Sequence, residues 1–153
     1  MRAGRKIAVV AAVAVLFWTG LAVELSRPGD FRAYHRAVLQ VAQGAHDAAQ
    51  TAKLAARLKA AHRTTPAFTA AAFDDAAKAL AGAQKQFAGQ APPDERSARL
   101  RDRLGPLLAR EITLLGDVMR ADDDTALRFG ARALDGLARQ LDDFITGEGR
   151  AGG

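Results

Sequence analysis

Apolar positions recur at helical spacing along the whole chain, in five stretches separated by short polar breaks. The first, Ile7 to Val23, carries no charge over 17 positions, with Arg2, Arg5 and Lys6 before it and Glu24 after it. As a helix it reaches roughly 25 Å, against about 30 Å for a bilayer's hydrocarbon core. It reads as a single transmembrane signal anchor over residues 1–23. The competing reading is a cleaved signal peptide, because the small residues Gly20 and Ala22 stand two apart before Val23. Retention is favoured: the run exceeds the usual apolar core of a signal, about 7 to 15 residues, and Trp18 suits an outer interface. In both readings the basic tail stays cytoplasmic and the remaining chain lies outside, although Arg27, Arg32 and Arg36 follow closely on the far side.

Residues 24–29 contain Pro28 and Gly29 and read as a hinge, and residues 30–147 as an antiparallel up-down-up-down four-helix bundle. The first bundle helix is expected from Asp30 to about His62. Its Phe31, Tyr34, Val38, Val41, Ala45, Ala48, Ala52 and Ala55 alternate by three and four, which makes an alanine-rich seam suited to a homodimer face. Beyond it the apolar side is expected to rotate toward Leu54 and Leu58. Thr65 and Pro66 open a second helix to about Ala88, with Phe73, Leu80 and Phe87 spaced by seven and Ala76 and Ala83 on the same side. Gly89 to Pro93 break the chain, and Asp94 and Glu95 suit the start of a third helix, in which Gly105-Pro106 predicts a kink rather than a stop. Asp122 to Thr125 cap a fourth, striped by Leu127, Leu134, Leu137, Leu141, Phe144 and Ile145 and ended by Gly147; residues 148–153 read as a disordered tail. The fold class is therefore all-α.

Composition adds restrictions. The chain has no cysteine, which removes disulfides, thiol nucleophiles, covalent haem and thiolate metal sites. The abundance of alanine, and of arginine over lysine, fits a GC-rich bacterial source. The net charge of +5 falls to +2 without Arg2, Arg5 and Lys6, so the bundle lacks the basic excess of a nucleic-acid-binding domain and no nucleic acid is expected. Residues 24–63 carry +4 and residues 121–150 carry −3, which favours pairing the first helix with the last.

Candidate chemistry is sparse. His35, His46 and His62 lack the spacing of ligands to one ion, since His35 and His46 sit roughly 16 Å apart along a helix, and no metal or cofactor is expected. Haem ligation by a histidine with Met119 has no motif behind it. Asp122 to Asp124 lack the glycine and glutamate of a calcium loop. No nucleophile elbow, phosphate loop or dinucleotide fingerprint occurs, so no catalytic residue is expected. Glu111 is the exception: it projects near the middle of an apolar arc of about 160° formed by Leu100, Leu104, Leu107, Leu108, Leu114, Leu115, Val118 and Met119. A buried carboxylate finds a partner or stays protonated. An ion pair with Arg128 or Arg132 is expected, with a small-ligand site as the alternative. Lys53, Arg57, Lys59 and Arg63, with His62, form a basic end on the first helix, read as a solvated cluster or as a docking patch for an anionic partner.

The sequence thus predicts a non-catalytic, membrane-tethered bundle outside the cytoplasm that works by protein contact. Its rival is a ligand-binding or sensing bundle around Glu111. A cavity beside Glu111 would favour the rival; a filled core with an exposed apolar stripe would favour the first.

Overall fold

The computed structural model describes residues 30–151, which form four helices packed together, with no strand among the described residues. These are α1 (Phe31–Ala60), α2 (Pro66–Ala88), α3 (Glu95–Arg120) and α4 (Asp124–Ala151). The Ile7 to Val23 segment and the 24–29 hinge lie outside the described residues. Among the described residues no helix is long and apolar enough to cross a membrane.

Named side chains start each helix by accepting from a backbone N–H that has no partner within the helix. Asp30 accepts from Arg32 N at 3.2 Å, Thr65 from Phe68 N at 3.2 Å, Asp94 from Ser97 N at 2.7 Å and Asp123 from Ala126 N at 2.8 Å. Of the aspartate cluster, Asp123 is the cap. α1 ends in a Schellman turn: Arg63 N donates to Leu58 O, His62 N donates to Lys59 O, and His62 takes a φ of 52° where glycine is usual. α3 runs unbroken through Pro106. α4 corrects the expected boundary, continuing past Gly147 to Ala151 through the stretch read as a tail. The physical reason is tertiary: Glu148 is buried, pairs with Arg103 of α3 and lies 3.8 Å from His35 of α1.

α1 is the hub. Two adjacent rows of its residues are buried, one being the expected seam from Tyr34 to Ala55, the other His35, Ala42, Ala49 and Ala56. This wide face packs on α2 and α4 and reaches α3 across the bundle, whereas α2 and α4 do not touch. Alanine permits it, because methyl side chains let helices approach closely. The seam is therefore covered by the chain's own helices, which corrects its reading as a homodimer face. Nor does the apolar side rotate: Leu54 is 55% exposed, and Ala56 and Ala60 continue the buried face.

Consecutive helices run in opposite directions. α1 meets α4 through Lys53 Nζ to Asp135 Oδ1 at 3.1 Å and His62 Nε2 to Asp124 Oδ2 at 3.1 Å, so the opposed charges of the two segments do face each other. α1 meets α2 where Gly44 approaches Ala83 and Gln86 donates to Gln40 at 3.3 Å. α3 meets α4 where Gly130 lies against Val118. α2 and α3 touch least; Arg101 ties their connection by donating to Phe87 O at 3.3 Å and Gln90 O at 2.6 Å. One end of the bundle thus holds the starts of α1 and α3. The core is completed by Leu104 of α3 and by Leu127, Leu134, Leu137, Leu141 and Phe144, the expected stripe of α4.

Two glycines of α4 test this packing with one chemical change. A Cβ at Gly130 would overlap Val118 Cγ1, whereas one at Gly136 has nothing within 4 Å. Gly136→Ala should raise stability by about 0.5–1 kcal/mol through helix propensity, and Gly130→Ala should lower it by about 1–3 kcal/mol through overpacking. Urea denaturation of both variants reads the two signs; equal responses would contradict the α3–α4 contact.

Candidate functional site

Glu111 lies on the same face of α3 as Leu100, Leu104, Leu108, Leu115 and Val118, all buried. It is 1% exposed, and neither carboxylate oxygen has a hydrogen-bond partner among the described residues. Loss of hydration disfavours the charged form, so its pKa rises from 4.5 to about 8. At neutral pH the side chain is a neutral acid in an apolar interior.

The expected ion pair does not form. Arg128 and Arg132 are both exposed, and neither pairs with Glu111. Register explains it: Gly130 against Val118 sets Arg128 and Arg132 beside the last turns of α3. Glu111 lies two turns further along α3, level with Leu137 of α4 and, by the α1–α4 ion pairs, with the alanines around Ala49. Among the described residues no side chain pairs with Glu111; at about this height on α1, His46 meets Asp47 and Gln50 at 3.3 Å each, and Lys53 meets Asp135.

The basic end of α1 is largely committed to internal contacts. Lys53 and Arg57 converge on Asp135, the latter at 3.9 Å, and hydrogen bonds from Lys53 and then Arg139 hold the Asp135 carboxyl below the usual carboxylate range. Lys59 donates to Ala121 O at 3.0 Å, closing the C-terminal end of α3. Arg63 is exposed. Lys53 and Arg57 thus tie α1 to the body of α4, and Lys59 ties it to the α3–α4 connection, rather than all forming one open patch. The three histidines contact separate partners, and among the described residues no group of three or more His, Cys, Asp or Glu is placed to hold a metal ion.

Sequence reasoning missed a groove. Between α2 and α3, which touch least, Ala77, Leu80, Ala81, Gln84, Ile112, Leu115, Gly116 and Met119 line a mainly apolar concavity of about 270 Å³. Met119 also borders a second concavity of about 380 Å³ toward Thr64, Pro66 and Phe73. Ile112 is 49% and Met119 46% exposed, so Met119, expected inside the arc, stands on the groove's wall. Ile112 was visible as an apolar residue outside the arc. Glu111 lines neither of these two concavities.

The chain matches no protein-family model, no curated protein and no solved structure.

Glu111 makes stability depend on pH with a definite sign. In the unfolded chain it ionises near 4.5, and in the folded chain near 8. Its contribution is fully present below the lower value and is lost between the two, at up to about 1.4 kcal/mol per pH unit. Glu111→Gln keeps the shape and removes the titration. Urea midpoints measured from pH 4.5 to about 8.5 should therefore fall for the parent relative to the variant; parallel curves would show that Glu111 is solvated.

Proposed function

We propose that this chain is a non-catalytic bundle tethered to the membrane by Ile7 to Val23, displayed outside the cytoplasm, and active by protein contact through the groove between α2 and α3. The tether rests on the uncharged run behind Arg2, Arg5 and Lys6. The contact reading is carried by the groove. Exposed Ile112 and Met119 stand as ridges over the small Ala77, Ala81 and Gly116, at the helix pair that packs least. Ridges over small residues suit a partner's amphipathic helix laid in as a further bundle member.

The rival, a small-ligand or sensing bundle around Glu111, is favoured by the two unpartnered oxygens of that residue. The described pockets lie elsewhere, which makes it the second reading.

A photo-reactive amino acid at position 112 should give one dominant protein adduct in a membrane fraction, and the adduct should vanish in Met119→Glu. The same probe at Gln140, on the exposed side of α4, should give none. Equal labelling from both positions would sink the groove. Release of the chain by carbonate washing, or an inactive export-dependent reporter fused after Gly153, would sink the tethered topology.

A further inference from the structure

The end of the bundle where α1 and α3 begin gathers cations around one concavity. Asp30, Phe31, Arg32, His35 and Arg36 line a hollow of about 460 Å³. Arg96, from the start of α3, lies over the Phe31 ring at 3.9 Å, and that ring stacks on His35 at 5.5 Å. Three exposed guanidinium groups from two helices therefore share one surface. No carboxylate among the described residues lies within ion-pair distance of Arg32, Arg36 or Arg96, in contrast to Lys53 and Arg57 further along α1. The carboxylates at this end are engaged elsewhere: Asp30 accepts from Arg32 N and Asp94 from Ser97 N as helix caps, Glu95 lies 3.9 Å from Arg99, and Glu148 pairs with Arg103.

We propose that this surface is a contact for the phosphates of anionic lipid headgroups, holding the bundle end-on against the membrane. The proposal rests on the tethered reading above. Only residues 24–29 separate the apolar run from Asp30, and at about 3.5 Å per residue they span at most about 20 Å. With Ile7 to Val23 in the bilayer, the start of α1 cannot leave the headgroup region by more than that distance. The Arg32, Arg36 and Arg96 surface is thereby presented to the lipid at high effective concentration. Arginine's planar fork matches phosphate oxygens in pairs. Phe31, half-buried beneath Arg96, offers an apolar flank at the same level. The opposite end of the bundle, some 40 Å away at about 1.5 Å per residue of α1, cannot reach the membrane while this contact holds. The groove between α2 and α3 is then carried at a fixed angle, open to a partner beside the bundle.

The absence of cysteine allows a clean test with the full chain in lipid nanodiscs. Ala33→Cys, exposed beside the two α1 arginines, and Ala67→Cys, exposed at the start of α2, each carry one fluorophore. Discs of zwitterionic lipid, with or without phosphatidylglycerol, contain a headgroup-attached quencher. The label at position 33 should be quenched far more in the anionic discs, and that excess should disappear in about 0.5 M salt. The label at position 67 should respond to neither. Each arginine near an anionic surface is worth about fivefold in association, so Arg32→Gln, Arg36→Gln and Arg96→Gln together should lower the docked-to-free ratio by about a hundredfold. The salt response of the unaltered chain stands whatever the fold of that triple variant. Quenching at position 33 that ignores lipid charge while the chain co-purifies with the discs would overturn the headgroup contact alone. Competition by inorganic phosphate at matched ionic strength would assign the hollow to a soluble anion and overturn the lipid assignment. A chain that does not co-purify with the discs at all would overturn the tether first, and the contact with it.

Discussion

The arrangement depends on the close approach that alanine allows on α1. One helix touches all three others only if its side chains are short over a wide arc, and the two rows containing Ala45, Ala48 and Ala52, and Ala42, Ala49 and Ala56, supply that arc. Each methyl buries little apolar area, so much of the hydrophobic stabilisation falls to partners with larger side chains. Leu104, Leu127, Leu134, Leu137 and Leu141 fill the space that the alanines leave. The same economy explains Glu111: in a core of methyl and isobutyl groups its carboxyl meets no donor and keeps its proton.

Charge is distributed with a different logic. Pairs between α1 and α4, such as Lys53 with Asp135 and His62 with Asp124, are partly exposed, and pairs of that kind contribute little to stability. Their value lies in register, because sliding α4 by one turn would bring Asp135 away from Lys53 and Glu148 away from both His35 and Arg103. Arg32, Arg36 and Arg96, at the starts of α1 and α3, have no ion-pair partner among the described residues, and in this the two ends of the bundle differ.

Local chemistry was legible in the sequence; tertiary choices were not. The helix starts followed from Asp30, Thr65 with Pro66, and Asp94, because a cap acts within three residues of itself. The end of α4 did not, because Gly147 is tolerated inside a helix when Glu148 is held by a residue 45 positions away. Heptad spacing identified the buried face of α1 but could not say whether a sibling helix or a second copy covers it. Glu111 was recognisable as buried from its position in the arc. Its supposed partners Arg128 and Arg132 were misplaced, since the height of α4 against α3 is fixed by Gly130 meeting Val118, a close approach that no periodicity encodes. The groove lies between α2 and α3, the pair that touches least, and it leaves Met119 on a wall rather than in the core.

Among the described residues, the interior is committed to the chain's own assembly, and the accessible features include an apolar groove and an arginine-lined end. The account stands on the alanine face being filled from within the chain. Ala45→Leu places an isobutyl group at a fully buried position of that face, and thermal midpoints of parent and variant, each taken over a wide range of protein concentration, test it most directly. The midpoint should drop by the same amount at every concentration, since the overpacking of about 1–3 kcal/mol is intramolecular. A parent midpoint that climbs with concentration, and a variant that loses that climb, would mean that the alanine face joins two copies of the chain.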